Sequence, residues 1–429
     1  MNLDDLVLVS VDDHVVEPEG MFEGRVSAKY ADRAPRFITR EDGTNAWVFE
    51  GIETPNIALN AVAGRPPEEY GMEPTALDEL RPGVYDIDER VKDMDANGLL
   101  GSLCFPSFVQ FCGQLIARSP DKDLALAVVQ AYNDWHIDEW CGTYPGRFIP
   151  CVIPAIWDPE ALAAEVRRTA RKGAHAVTFS ENPHKLGFPS MYSDHWDPFW
   201  KACSDEGVVV CLHIGSSSEL IITAPDAPID TIITLSPINI VQAAADLVWS
   251  QVLRKFPDLT FALSEGGIGW IPYFLERIDY NYQKHRYWTH QDFGDRLPSD
   301  LFKERIVTCF IDDRVGVENR RHLNMDNVTW ECDYPHGDSS WPNSPEAFMK
   351  QMDGVSDAEI ERLSHANAMR IFQYDPFRTI PREQATVRAL RKNAEGHDVS
   401  TVSRARRAAS ASTSAVDLRR NVASRSTDS

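Results

Sequence analysis

Residues 158–179 read DPEALAAEVRRTARKGAHAVTF, a helix followed by a strand. Asp158 stands where a helix takes its N-terminal cap, and Pro159 takes the first helical position, where a missing N–H costs nothing. Basic residues gather late, towards the negative end of the helix dipole, and Gly173 ends the helix. The run AHAVTF then reads as a short strand.

The same unit recurs between Asp88 and Asp375. DIDERVKDMDANG precedes LLGSLCF, DPFWKACSDEG precedes VVVCLHI, and SPINIVQAAADLVWSQVLRKFPD precedes LTFALSE. With the opening LVLVSV and with RFIPCVIP, RIVTCFI and NVTWEC, eight strands are predicted, joined mostly by connections long enough for a helix. Parallel strands with helical crossovers close readily at eight, so the expected fold is α/β, a (β/α)8 TIM barrel. A doubly wound open sheet is the alternative, but no Gly-rich turn follows its first strand. Residues 15–85 break the rhythm with Pro18, Pro35, Pro55, Pro66, Pro67, Pro74 and Pro82, a long irregular insertion expected to serve as lid or oligomer contact.

Charge divides the chain of 429 residues. It carries a formal net charge of -22, yet residues 377–429 hold 11 basic and 5 acidic side chains. That segment, rich in Ser, Ala and Arg, is expected to be disordered, with Val387 to Lys392 able to form a short helix, leaving 1–376 as the barrel domain. A strongly acidic body repels phosphate backbones and anionic membranes, so no nucleic acid and no membrane partner is expected. The start lacks a basic segment followed by a long apolar stretch, no uninterrupted apolar run approaches the roughly 18 residues that span a bilayer, and a cytoplasmic protein is expected. The eight cysteines lack any C-x-x-C, and Cys151, Cys211, Cys309 and Cys332 lie in apolar runs, as core-filling thiols do.

Barrel chemistry is placed at the carboxyl ends of strands, and charged groups end several strands here. The run VLVSVDDHVVEP places Asp12 and His14 on one face and Asp13 on the other. VVVCLHIG ends in His213, in phase with Cys211; FALSEGG ends in Glu265, in phase with Phe261 and Leu263; and TWECDYPHGDSSW ends in Asp333, in phase with Glu331. Each alone has a bland reading: an aspartate cap, a hydrogen-bonded core histidine, a turn former. Together, Asp12, His14, His213 and Asp333 supply two imidazoles and two carboxylates, a set that neutralises one divalent cation where bare carboxylates would be costly.

The blocks VSVDDH, RVKDMDANGL, YPGRFIPCVIPA, DPFWKACSDEGVVVCLHIG, FALSEGGIGWIPYFLERID and ECDYPHGDSSWP, in this order from about Val7 to Tyr374, resemble the amidohydrolase-related family of metal-dependent hydrolases and decarboxylases. The likeness is to its branch of aminocarboxymuconate-semialdehyde and gamma-resorcylate decarboxylases. It implies a barrel with one divalent metal, the family's H-x-H or E-x-H falling on Asp12 and His14, and its other ligands on His213 and Asp333. Asp12 replaces the usual His or Glu, and Glu265 stands where decarboxylases carry a catalytic histidine.

The resemblance implies a carboxy-lyase acting non-oxidatively on a small aromatic or enolic carboxylic acid, with Asp333 as proton donor and Glu265 assisting if apolar surroundings raise its pKa. A hydrolase of an amide, ester or lactone, using a metal-activated water, would use the same residues. A barrel that binds a small ligand without catalysis is a third reading. Zinc suits the ligand set, and oxygen-rich coordination also suits manganese. A homo-oligomer, dimer or tetramer, is expected. Glu331 is a candidate hydrogen-bond partner for a ligand histidine or a buried arginine, and His336 and Asp338 are either substrate contacts or exposed turn residues. His136, His175, Trp270 and the run YNYQKHRYW read as packing, although aromatic stripes also build subunit contacts.

Overall fold

The computed structural model describes residues 1–72, 75–404, 416 and 425–426. All eight expected strands form. β1 is Val9–Val15; β2 (Arg36–Thr39), β3 (Asn45–Phe49) and β4 (Ile52–Thr54) belong to the insertion; β5 is Gly101–Pro106. Then come β6 (Phe148–Ile149), β7 (Cys151–Val152), β8 (Ala176–Ser180), β9 (Val209–His213), β10 (Phe261–Ser264), β11 (Ile306–Phe310) and β12 (Val328–Trp330). The expected third strand is split into β6 and β7 by Pro150, whose nitrogen has no hydrogen to give to a ladder.

Parallel pairing gives the orders β1-β5-β6 and β12-β11-β10-β9-β8-β7. The two sheets are joined through Pro150 at one border. At the other, Asp333 N donates to Asp12 O at 2.8 Å and His14 N to Tyr334 O at 2.7 Å. The crossovers start and stop where the residues dictate. Asp86 accepts from the Asp88 and Glu89 amides, Asp158 from those of Glu160 and Ala161, and Gly98 takes the left-handed φ of 74° that ends its helix.

Alternation sorts the strand side chains into two layers. Val9, Val11, Leu103, Phe105, Ile149, Cys151, Ala176, Val209, Cys211, Ala262, Val307 and Cys309 meet in one inner cluster. Leu8, Cys104, Phe148, Val177, Phe179, Val210, Leu212, Phe261 and Leu263 face the helices. All eight cysteines are free and buried.

The insertion is more ordered than its prolines suggest. β2, β3 and β4 form an antiparallel meander, extended by Arg425–Ser426 on β4, and Trp47 is buried against Phe22, Phe37 and Phe108.

Helical turns continue past residue 377. The helix Val387–Asn393 buries Val387 and Leu390, and Val387 N donates to Leu6 O at 2.9 Å. Composition averaged over the whole tail hides these few apolar residues, which suffice to dock one turn-rich segment. Most residues after 404 lie outside the described ones, and so does the remainder of the expected disordered tail.

One segment, Ile229–Trp249, is long and apolar enough by length and composition to cross a membrane, although Asp230, Ser236 and Asp246 interrupt its apolar residues, so the expectation of no long uninterrupted apolar run stands. Ser236 divides it into two helices, and Ile240, Ala243, Ala244, Leu247 and Val248 are buried in the core.

Candidate metal centre

The sequence-predicted ligands come together at the carboxyl ends of the strands. His14 Nε2 lies 3.5 Å from Asp12 Oδ1 and 3.2 Å from Asp333 Oδ1, and His213 Nε2 lies 3.5 Å from Asp12 Oδ1. Asp12, His14, His213 and Asp333 are all buried. Both Asp12 carboxylate oxygens, His14 Nε2, His213 Nε2 and Asp333 Oδ1 lack a hydrogen-bond partner. Buried polar atoms are normally paired, so this number of orphans aimed at one another fits a cation held among them. His213 is oriented as a ligand should be: its Nδ1 lies 2.6 Å from Ile214 O, which fixes a proton there and turns Nε2 towards the other groups, while burial disfavours the cation and Glu265 and Asp12 push it up to about 10.

Alternation alone does not deliver these groups. In β1 the inner residues are Val9 and Val11, which would put Asp13 inside and Asp12 outside. The pairing of β1 with β5 shifts register between Ser10 and Asp13, and this bulge turns Asp12 and His14 inward. Asp13 is sent to the other side, where it accepts from Ser102 Oγ and, at 2.9 Å, from Tyr334 N. Buried Arg90 Nη2 donates to His14 O and clamps the same strand from behind.

Glu265 needs a second device. Its expected companions Phe261 and Leu263 belong to the outer layer, so strict alternation points it away from the site. β10 ends at Ser264, and Glu265 adopts a φ of 58°, which swings its carboxylate to 3.6 Å from His213 Nε2 and 3.9 Å from His14 Nε2. Asp333 also has a φ of 58°. Left-handed backbone at a non-glycine residue is uncommon and, where it persists, gathers at functional sites.

Sequence reading ranks His336 too low. It is buried, not an exposed turn residue; its Nδ1 lies 3.0 Å from Asp333 Oδ1 and 3.8 Å from Glu265 Oε1, and its ring stacks on His14 at 3.7 Å between centroids. The available signal is its place three residues after Asp333. His14, Glu265, Asp333 and His336 form a second group of potential ligand atoms overlapping the first at His14. Among the described residues, Glu331 makes no hydrogen bond to a ligand histidine or an arginine; Cys309 Sγ donates to its Oε2 at 2.6 Å, and Glu265 N at 3.3 Å. His136 is buried and stacks on Tyr132, as packing should. Trp270 packs on Phe274 and Phe302, with Nε1 donating to Gly266 O at 2.9 Å, whereas Tyr280, Tyr287 and Trp288 of the aromatic run stand exposed.

Electrostatics separate the carboxyls. Burial raises Asp12 to about 6 against the opposing pull of His213. Burial likewise holds Asp333 well above the usual carboxylate range. Glu265 goes the other way: burial would raise it, but His213 and His336 outweigh that and bring it to about 2. The expectation of a raised Glu265 is therefore corrected, because its neighbours are imidazoles and not apolar groups. His336 is disfavoured as a cation by burial, yet Asp333 and Glu265 push it up to about 10. Burial, reinforced by the neighbouring imidazoles, keeps His14 neutral and well below its ordinary value.

The fold and the family agree. An amidohydrolase from Mycobacterium avium subsp. paratuberculosis superposes with a TM-score of 0.65 at 20% identity, over 86% of this chain and 98% of its own. The 5-carboxyvanillate decarboxylase of Sphingomonas paucimobilis gives 0.59 at 17% identity, over 86% and 100%. A dihydroxybenzoic acid decarboxylase from a Polaromonas species, solved with manganese and 2-nitroresorcinol, gives 0.56 at 17% identity, over 86% and 97%. No curated protein sequence matches the chain. The amidohydrolase family profile matches residues 45–373, which take in His213, Glu265, Asp333 and His336 but not Asp12 and His14. With more than half of its length matched and its fold shared, the chain belongs to the amidohydrolase family.

Proposed function

We propose that the eight strands close into a (β/α)8 barrel and that the site at their carboxyl ends is that of a metal-dependent carboxy-lyase acting non-oxidatively on a small aromatic or enolic carboxylic acid. The observation that carries the metal is the set of partnerless buried ligand atoms on Asp12, His14, His213 and Asp333. A divalent ion bound there supplies Lewis-acid polarisation of a substrate oxygen. The carboxylate-rich set favours a hard ion such as manganese, with zinc the second choice. The structural likeness to decarboxylases of hydroxylated benzoic acids, one of them solved with manganese, supports substrate class and metal together.

The chain's own residues divide the remaining work. With its Nδ1 committed to Ile214 O, His213 would turn Nε2 to the ion, giving up there the proton that Glu265 and Asp12 favour in the ion's absence. Three carboxylates, Asp12, Glu265 and Asp333, are balanced by the dication and a protonated His336. The Asp333–His336 pair, 3.0 Å apart, keeps one proton available at neutral pH. In the carboxy-lyase reaction that proton passes to the substrate carbon, the C–C bond to the carboxylate breaks, and carbon dioxide leaves. Phe111, half-buried and stacked on His213 at 4.1 Å between centroids, is an aromatic neighbour for a planar substrate.

A hydrolase reading is favoured by one observation: the Glu265 carboxylate stands 3.6 Å from His213 Nε2 and 3.8 Å from His336 Nδ1, beside the ligand atoms where a water would bind. The deciding experiment loads the protein with manganese or zinc and offers hydroxylated benzoic acids and, separately, amides and lactones. Carbon dioxide release from the acids is expected. Hydrolysis of amides or lactones with no carbon dioxide from any acid would replace the carboxy-lyase by the hydrolase.

A further inference from the structure

Glu181 is the first residue after β8, whose last pairing with β9 sets Ser180 beside His213. It is 2% exposed, and four donors converge on its Oε1: Gly215 N at 3.1 Å, Ser217 N at 3.4 Å, Ser217 Oγ at 2.7 Å and Asn239 Nδ2 at 3.1 Å. Its own N–H donates to Ser216 Oγ at 2.8 Å, and Ser216 Oγ donates to His213 O at 2.7 Å. The turn that follows the ligand histidine is thus folded around one carboxylate. The other oxygen, Oε2, is buried with no hydrogen-bond partner among the described residues, an exception to the usual pairing of buried polar atoms that calls for a function.

One of those four bonds reaches the metal site. Ile214 and Gly215 share a trans peptide, so its C=O and N–H lie in one plane and point opposite ways. The N–H donates to Glu181 Oε1, and the C=O stands 2.6 Å from His213 Nδ1. Carboxylate, peptide and imidazole therefore form one chain, and hydrogen bonds joined in a chain polarise one another. A ligand histidine is commonly oriented through its second ring nitrogen by a carboxylate or a carbonyl. Here the carbonyl does so directly, and the carboxylate acts through it. The turn admits this path because Gly215 takes a φ of 81°, and a Cβ there would stand 3.0 Å from the ring of Phe111, which stacks on His213. Rotation of the peptide plane would take its carbonyl away from Nδ1 and its N–H away from Glu181 together.

We infer, on the metal reading proposed above, that Glu181 is a positioning residue for His213: its carboxylate holds the Ile214–Gly215 peptide, and the peptide holds the imidazole with Nε2 towards the ion. Reach is what the role requires. Glutamine keeps an acceptor at the same distance without the charge, whereas aspartate keeps the charge and is one methylene too short for Gly215 N.

The test uses the full chain with manganese alone, titrated by calorimetry, and with cobalt alone, whose visible absorption reports the geometry of its ligands. Glu181→Asp should raise the manganese dissociation constant ~10–100-fold, the scale of a lost partner behind a ligand histidine, and shift the cobalt spectrum. Glu181→Gln should keep the cobalt spectrum of the unaltered protein and bind manganese at least ~fivefold more tightly than Glu181→Asp, a rescue by reach. Ser217→Ala removes a neighbouring bond and leaves that from Gly215 N, so it should bind manganese as the unaltered protein does. In the metal-free protein, hydrogen exchange at the Gly215 amide should quicken ~tenfold or more in Glu181→Asp and stay within about threefold in Glu181→Gln. Manganese bound equally by the unaltered and Glu181→Asp proteins, or lost as far in Glu181→Gln or Ser217→Ala as in Glu181→Asp, would overturn the inference and leave the metal reading standing. An unaltered protein that takes up neither metal would overturn both.

Discussion

Asp333 Oδ1 lies 3.2 Å from His14 Nε2, joining the last strand of the fold to the first. Both are buried; His14 Nε2 has no hydrogen-bond partner, and Asp333 Oδ1 otherwise faces only His336 Nδ1, at 3.0 Å. Leaving buried polar atoms unpaired costs about 1–3 kcal/mol each, a cost that a bound cation would offset.

His213→Ala should remove bound metal and activity together. Metal content measured on purified protein should fall from near one ion per chain to a trace. Added manganese at ~100 times its dissociation constant should raise the stability of the unaltered protein by about 2.7 kcal/mol and leave the variant unmoved. Retained metal would return His213 to the role of an ordinary core histidine.

His336→Gln separates a proton carrier from a ligand. Metal content should stay within twofold of the unaltered protein while kcat drops ~100-fold or more, the usual scale of a lost general acid. Metal lost along with turnover would instead move His336 into the coordination set, through the second group it forms with His14, Glu265 and Asp333.

Leu390→Ala tests whether the fold continues beyond residue 377. Leu390 is 2% exposed on a helix that packs against Ile87–Asn97. Its truncation should cost about 2–4 kcal/mol in urea unfolding. A change within about 0.5 kcal/mol would mean that the segment adds nothing to the body.

Glu359 provides a pH test remote from the metal. Its carboxylate accepts from Arg320 Nε at 3.0 Å, Ser356 Oγ at 2.8 Å and Ser356 N at 3.1 Å. The arginine first, then the serine, holds its pKa down to about 2 from 4.5. A folded pKa below the unfolded one gives stability that is present above pH 4.5 and lost as pH falls towards 2. Glu359→Gln should therefore be less stable by about 1–2 kcal/mol at pH 7, a gap more than halved by about pH 3, read from urea melts across the range.

The order of helices and strands was legible in the residues alone, because caps, stops and apolar runs act over a few positions and their physics is local. Asp158, Pro159 and Gly173 specify one helix with no help from the remainder of the chain, and the eight strands lie where their apolar runs put them. The residue types that converge were legible too, since a histidine or carboxylate closing an apolar strand stands out against its neighbours.

Which way those groups point, and what surrounds them, emerged only from the folded chain. The bulge that turns Asp12 inward depends on pairing with β5, and the left-handed φ of Glu265 reverses what alternation predicts. The low pKa of Glu265 and the recruitment of His336 follow from through-space charges contributed by distant segments. Such interactions act over a few ångströms in space, and a linear sequence does not encode distance of that kind in any short window.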